Sequence, residues 1–179
     1  ASVYRPASLT AQVVLGPTPR NAGQVFTVIM SVTNSGDLVA KSVLPSPLIQ
    51  VGSGGAALLT PPAAAVDINP GSGQQFIWTY SAVGTGSLTL QGNATGTDAA
   101  SFNAISSNSS VSNLLTVQAA AVLNISAIQA IPSNVGTGDL VTVTLRVENL
   151  GETSALDVSG TSLSTFGAAS VTTPASGPT

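Results

Sequence analysis

The side chains in this 179-residue chain that could move a proton, attack a carbon or hold a metal are few. Seven are acidic (Asp37, Asp67, Asp98, Asp139, Glu148, Glu152, Asp157) and four basic (Arg5, Arg20, Lys41, Arg146), with no His and no Cys. Lacking both, the chain cannot build a Ser–His or Cys–His nucleophile, nor a Cys-ligated zinc or iron–sulfur site. A Ser–Lys pair would have to use Lys41, and among so many serines a neighbouring hydroxyl carries no information. The carboxylates form no D-x-D-x-D calcium loop. Glu148 and Glu152 flank one turn, where a weak calcium site competes with an ordinary solvated hairpin end. The second reading is preferred, because Thr33 and Asp37 take those places in a related stretch. We therefore assign no catalytic, cofactor-binding or metal residue and expect no enzyme.

Charge is scarce overall. Only 6 % of residues are Asp, Glu, Lys or Arg, against about 25 % in ordinary globular domains. The surface must then be made of Ser, Thr, Asn, Gln and Gly. Four dispersed cations cannot supply the basic footprint that nucleic acid or an anionic membrane requires. No run of about 20 apolar residues is present, so no transmembrane segment is expected. The bias toward Ser, Thr, Gly and Asn points to an extracellular or cell-surface location, and Ala1 reads as a processed or trimmed end.

The elements that would position these groups are strands. In VFTVIMSVT (25–33), Phe26, Val28, Met30 and Val32 share one face, a period-2 pattern ended by the turn residues Asn34-Ser35-Gly36-Asp37. QQFIWTYS (74–81) alternates in the same way and places Phe76, Trp78 and Tyr80 on a core face. The Gly84-Thr85-Gly86 turn and SLTLQG (87–92) then predict a hairpin centred on Trp78. Further strands are expected at 9–15, 38–44, 56–60, 64–69 and 112–118. The stretch 93–112 reads as a long polar loop, and 52–55 and 71–73 as glycine turns without phosphate-loop spacing. No helix is expected. The fold class is all-β, an antiparallel β-sandwich.

An internal repeat organises the chain. GQVFTVIMSVTNSGDLVAKSV (23–43) aligns without gaps with GDLVTVTLRVENLGETSALDV (138–158), 115 positions later. Val141, Val143, Leu145 and Val147 then correspond to Phe26, Val28, Met30 and Val32, and Asn149 and Gly151 to Asn34 and Gly36. The expected organisation is an N-terminal extension or strand (1–8), a complete sandwich (9–118), a linker (119–122) and the first half of a second repeat (123–179). Positions matching 65–118 have no counterpart in the second copy. Its cover is expected from further chain, or from strands of a neighbouring subunit.

The paired stretches Gly23–Gly36 and Gly138–Gly151 resemble the CARDB-like domains, and more broadly the immunoglobulin-like repeats, of large bacterial and archaeal surface proteins. The resemblance implies an immunoglobulin-like sandwich serving as a spacer or adhesive module, and it supplies no catalytic residue. Some surface domains of this kind carry an intramolecular Lys–Asn bond. Here Lys41 would have to lie in the core beside an acid, and the matching position is Leu156. Sequons at Asn93, Asn108 and Asn124 could accept glycan in a glycosylating host.

The expected function is a non-catalytic structural or adhesive module of a secreted or cell-surface protein. Its partners would be neighbouring repeats or identical subunits, with a surface glycan or protein ligand also open. The first alternative is a subunit of an extracellular filament or sheath joined by strand exchange. The second is a carbohydrate-binding module appended to an enzyme. It would need exposed aromatics, whereas Phe76, Trp78 and Tyr80 share a core face and Tyr4, Phe102 and Phe166 are dispersed.

Overall fold

The computed structural model describes residues 3–160, 164 and 166. The chain separates into two compact units, residues 1–120 and 121–179. Unit 1 holds β1 (Leu9–Leu15), β2 (Arg20–Asn21), β3 (Val25–Asn34), β4 (Ala40–Pro45), β5 (Ile49–Gly52), β6 (Gly55–Thr60) and β7 (Val66–Ile68). It continues with β8 (Gly73–Gly84), β9 (Gly86–Gly92), β10 (Ala94–Asp98), β11 (Ala104–Ser106), β12 (Ser110–Val111) and β13 (Leu115–Gln118). Unit 2 holds β14 (Leu123–Ile131) and β15 (Thr142–Asn149). Among the described residues there is no helix.

In unit 1, one sheet runs β1-β3-β8-β6, antiparallel throughout. Its central pair sets Phe26 opposite Tyr80, Val28 opposite Trp78 and Met30 opposite Phe76. The rings of Phe26 and Tyr80 stack at 5.9 Å, and burial raises the Tyr80 hydroxyl above its ordinary pKa. The other strands form two sheets in series, β11-β10-β4-β7 and β12-β9-β13-β2, with β5 on the free side of β9. The two are stitched where β4 leads to β5 and β9 leads to β10. There the Ser46 N–H donates to the Asn93 carbonyl (2.8 Å) and the Asn93 N–H to Ser46 Oγ (3.1 Å). Both layers feed one core in which Val28, Met30, Val32, Phe76, Leu88 and Leu90 are fully buried. Removing each of these side chains from water stabilises the fold by roughly 1.5–3 kcal/mol.

Two expectations are corrected. The segments 74–81 and 87–92 are not a hairpin: β8 lies between β3 and β6, while β9 pairs with β5, β12 and β13 in the opposite layer. The glycine-rich turn carries the chain from one layer to the other. Gly86 has φ 119°, and a Cβ there would lie 3.0 Å from the Gly54 nitrogen, so only glycine fits this crossing. The stretch 93–112 is not one long loop but holds β10, β11 and β12. The expected antiparallel sandwich is what the strands form, with the short β2 alone running parallel to its neighbour, β13.

Unit 2 repeats the strand pairing that opens unit 1, in the same register over its first part. Leu15 lies opposite Val28 and Val13 opposite Met30; Ala130 lies opposite Val143 and Ile128 opposite Leu145. A register shift between Ile125 and Ala127 absorbs one residue farther along. Gly23 and Gly138 both turn with positive φ, 88° and 94°. The Asn34 side chain accepts the Gly36 N–H and donates to the Leu38 carbonyl. Asn149 does the same with Gly151 and Thr153. The repeated Asn-x-Gly is therefore a side-chain clamp that folds the chain back after the strand, through hydrogen bonds an Asx turn favours.

Candidate functional site

The charged residues do not gather. Arg5 pairs with Asp37 (3.0 Å), Lys41 with Asp67 (2.7 Å) and Arg146 with Glu148 (3.1 Å), all largely open to water. Each such pair contributes little to stability. Hydrogen bonds from Arg5 hold the Asp37 carboxyl below its ordinary pKa, and Lys41 together with the Ser42 N–H does the same to Asp67. Lys41 is half exposed and faces a carboxylate rather than an amide, a geometry that makes it a surface ion pair. Glu148 is turned toward Arg146, and among the described residues no three His, Asp or Glu side chains converge on a metal-sized space.

Asp98 is the one carboxylate withdrawn from solvent, at 1 % exposure. Its oxygens accept the N–H groups of Ala7, Ala100 and Ser101 and the Ser101 hydroxyl. The Ala7 and Ser101 amides hold its pKa down to about 2. All of its partners are structural, and it ties the segment before β1 to the far layer. In the sequence Asp98 stands as an isolated acid, since its partner Ala7 lies 91 positions away along the chain.

The most specific surface device lies along the outer edge of β1. An edge strand exposes N–H and C=O groups that invite pairing with another chain. On β1 the Ala11 N–H donates to Asn108 Oδ1 (2.9 Å), and Asn108 Nδ2 returns a bond to the Ala11 carbonyl (3.1 Å). The Val13 N–H donates to Ser110 Oγ (3.0 Å) and the Leu15 N–H to Asn113 Oδ1 (2.8 Å). Neutral side chains from 108–113 thus stand where a neighbouring strand's backbone would be. Asn108 is thereby committed, and Asn93 donates to Ser106 Oγ. Among the sequon asparagines, Asn108 and Asn124 are exposed, the latter on β14, and Asn93 is part-buried.

Two other surfaces are apolar. An open groove of ≈ 270 Å³ is lined by Leu44, Leu58, Trp78 and four prolines, with Ser46 beside them, a lining too poor in polar groups for chemistry. The aromatics expected in the core are there: Phe76, Trp78 and Tyr80 are buried, while Tyr4 and Phe102 are exposed. The second surface is the face of β15, whose Val143 and Val147 are 42 % and 39 % exposed. Their counterparts Val28 and Val32 are fully buried.

No family model matches the chain, and no curated protein matches it. Solved structures do. Native alpha-2-macroglobulin from Escherichia coli, from domain MG7 to the C-terminus, is similar over 70 % of this chain at 20 % identity, with a TM-score of 0.50. The chain spans only 20 % of that structure's length. A PapD-like domain of human CEP192 is similar over 63 % of this chain and 87 % of its own, at 8 % identity and a TM-score of 0.40. A FixG-related protein from Vibrio parahaemolyticus is similar over 59 % of this chain and 96 % of its own, at 14 % identity and a TM-score of 0.32. Among the described residues no helix is long and apolar enough to cross a membrane. The likeness is one of fold, and with the strand order and the shared core it makes unit 1 an all-β, immunoglobulin-like sandwich.

Proposed function

We propose that the chain is a non-catalytic structural or adhesive module of a large secreted or cell-surface protein, built from CARDB-like or related immunoglobulin-like repeats. The observation that carries this reading is the second copy of the strand pair and its Asn clamp, 115 positions after the first. A chain that rebuilds one unit in series gains length and surface rather than a new active site. The commitment of Asp98, Asn108, Ser110 and Asn113 to backbone hydrogen bonds supports it, since these groups are occupied in holding strands.

The test is a broad screen for hydrolytic, transferase and redox turnover, run beside antibody labelling of intact source cells. The expected result is no turnover and labelling without permeabilisation. Turnover that survives repurification and is lost on mutating one polar residue would sink the non-catalytic reading. Labelling only after permeabilisation would sink the surface location. A subunit of a filament joined by strand exchange is the second reading, and the exposed apolar face of β15 favours it. The carbohydrate-binding alternative loses its support, because the aromatic row it requires points into the core.

A further inference from the structure

Phe102 occupies a position that suits a different residue. Its side chain is 81 % exposed and its φ is 57°, a left-handed conformation that glycine or asparagine adopts at little cost and a bulky residue rarely does. The turn after β10 is held in that shape. The Asp98 carboxylate accepts the N–H groups of Ala100 and Ser101 and the Ser101 hydroxyl. The Phe102 N–H donates to the Asp98 carbonyl (3.0 Å), and the Asp98 N–H to the Asn103 carbonyl (2.9 Å). Strain that the surroundings enforce in this way collects at sites that act. What this one does is carry a phenyl ring clear of the surface.

The same unit holds a groove that fits such a ring. Its volume is ≈ 270 Å³, and Leu44 and Leu58 on its walls are about half exposed. An apolar cavity of about 150 Å³ already admits benzene. Four prolines in the lining fix the backbone around the groove, so it is shaped before anything enters. Neither the lining nor residues 99–103 carry a charge, so a ring can enter without stripping water from an ion. The two features sit at opposite ends of one strand pair. Asp98, where the turn begins, lies opposite Ala40, while Ala94 lies opposite Pro45 at the groove. At about 3.3 Å per residue the two ends are about 13 Å apart, so Phe102 cannot fill the groove of its own copy.

We propose that Phe102 of one copy seats in the groove lined by Leu44, Leu58 and Trp78 of a second copy, joining unit 1 to unit 1 head to tail. This deepens the structural-module reading and rests on it. Ring and groove are different patches of one surface, so the contact is heterologous and repeats from copy to copy instead of closing about a two-fold axis. A single ring buries far less than the roughly 1,000 Å² of a stable interface. The contact is therefore weak between free copies and adds up where many are held close together.

The experiment uses the full chain, ¹⁵N-labelled and diluted from about 1 mM to about 0.02 mM, a range that brackets a weak contact. Amide signals of residues 99–103, Leu44 and Leu58, with the Trp78 indole, are expected to shift together with concentration while those of β3 stay fixed. Phe102→Asn suits the turn and removes the ring, and Leu58→Asp puts a charge in the groove wall. Both positions are exposed, and unchanged β3 signals show that each variant is folded. Each variant alone should associate about tenfold more weakly or worse. Mixed, the two should associate again, since one keeps the groove and the other keeps the ring. Groove signals should then move in Phe102→Asn and turn signals in Leu58→Asp. No concentration dependence overturns the proposal, as does a dependence that survives either substitution. A mixture that fails to associate overturns it too, since the ring then meets something other than the groove. None of these outcomes bears on the non-catalytic reading, which falls only on turnover.

Discussion

Asn34 and Asp98 each hold together pieces of chain that no hydrophobic contact would align. Asn34 is fully buried, accepts the N–H groups of Ser8 and Gly36, and donates to the carbonyls of Leu38 and Ile68. Asn34→Ala leaves those groups without partners and should cost about 1–3 kcal/mol in a urea titration. Asn34→Asp should cost more, because a carboxylate would face two carbonyl oxygens. Equal or smaller loss for Asp would show that the amide's donors contribute nothing. For Asp98 the argument runs through protons. Its folded pKa of about 2 lies below the ordinary value of about 3.9, so its contribution is whole above about pH 4 and drains as pH falls toward 2. Asp98→Asn should be less stable at neutral pH and show a flatter decline between pH 4 and 2. Parallel declines in chain and variant would assign the acid sensitivity elsewhere. Asp37 and Asp67 act in the same direction but are exposed.

Among the strands, the edge of β1 is the clearest case of side chains doing what backbone does elsewhere. Replacing Asn108, Ser110 and Asn113 together by Ala uncovers the amides of Ala11, Val13 and Leu15. Exchange at these amides should accelerate by about tenfold or more, and the variant should form concentration-dependent oligomers on size exclusion. A variant that stays monomeric with unchanged exchange would mean the seal is incidental. This edge was also the least legible part of the sequence. Strands that bury one face declared themselves by period: 9–15, 25–33 and 74–81 all appear where alternation placed them. Strands β10 to β12 did not, because they are short, and Ser107, Asn108 and Ser110 in and between them bond to backbone where an apolar face would have betrayed a strand. The partner of β8 was misjudged for a different reason. Both layers face one core, so alternation marks a strand without saying which sheet it joins. The clamp at Asn34 was readable as a turn, and its recurrence at Asn149 as a repeat, since both depend on residues close in sequence.

Among the described residues, stability comes from a core and from hydrogen bonds, including those to the Asp98 carboxylate, rather than from ion pairs. The ion pairs among the described residues are solvent-facing. Raising sodium chloride from about 0.05 to about 0.5 M should therefore shift the unfolding free energy of unit 1, followed at Trp78, by less than about 1 kcal/mol. A larger loss would reveal a charge network that these pairs do not form. The seal on β1 also has a meaning for the order in which the protein is made. β15 repeats the pattern of β3, which makes it the nearest wrong partner for the outer edge of β1. Asn108, Ser110 and Asn113 are synthesised, and emerge from the ribosome, ahead of Thr142–Asn149. At roughly 5–20 residues per second, synthesis gives the first repeat on the order of seconds to close that edge before its imitator arrives.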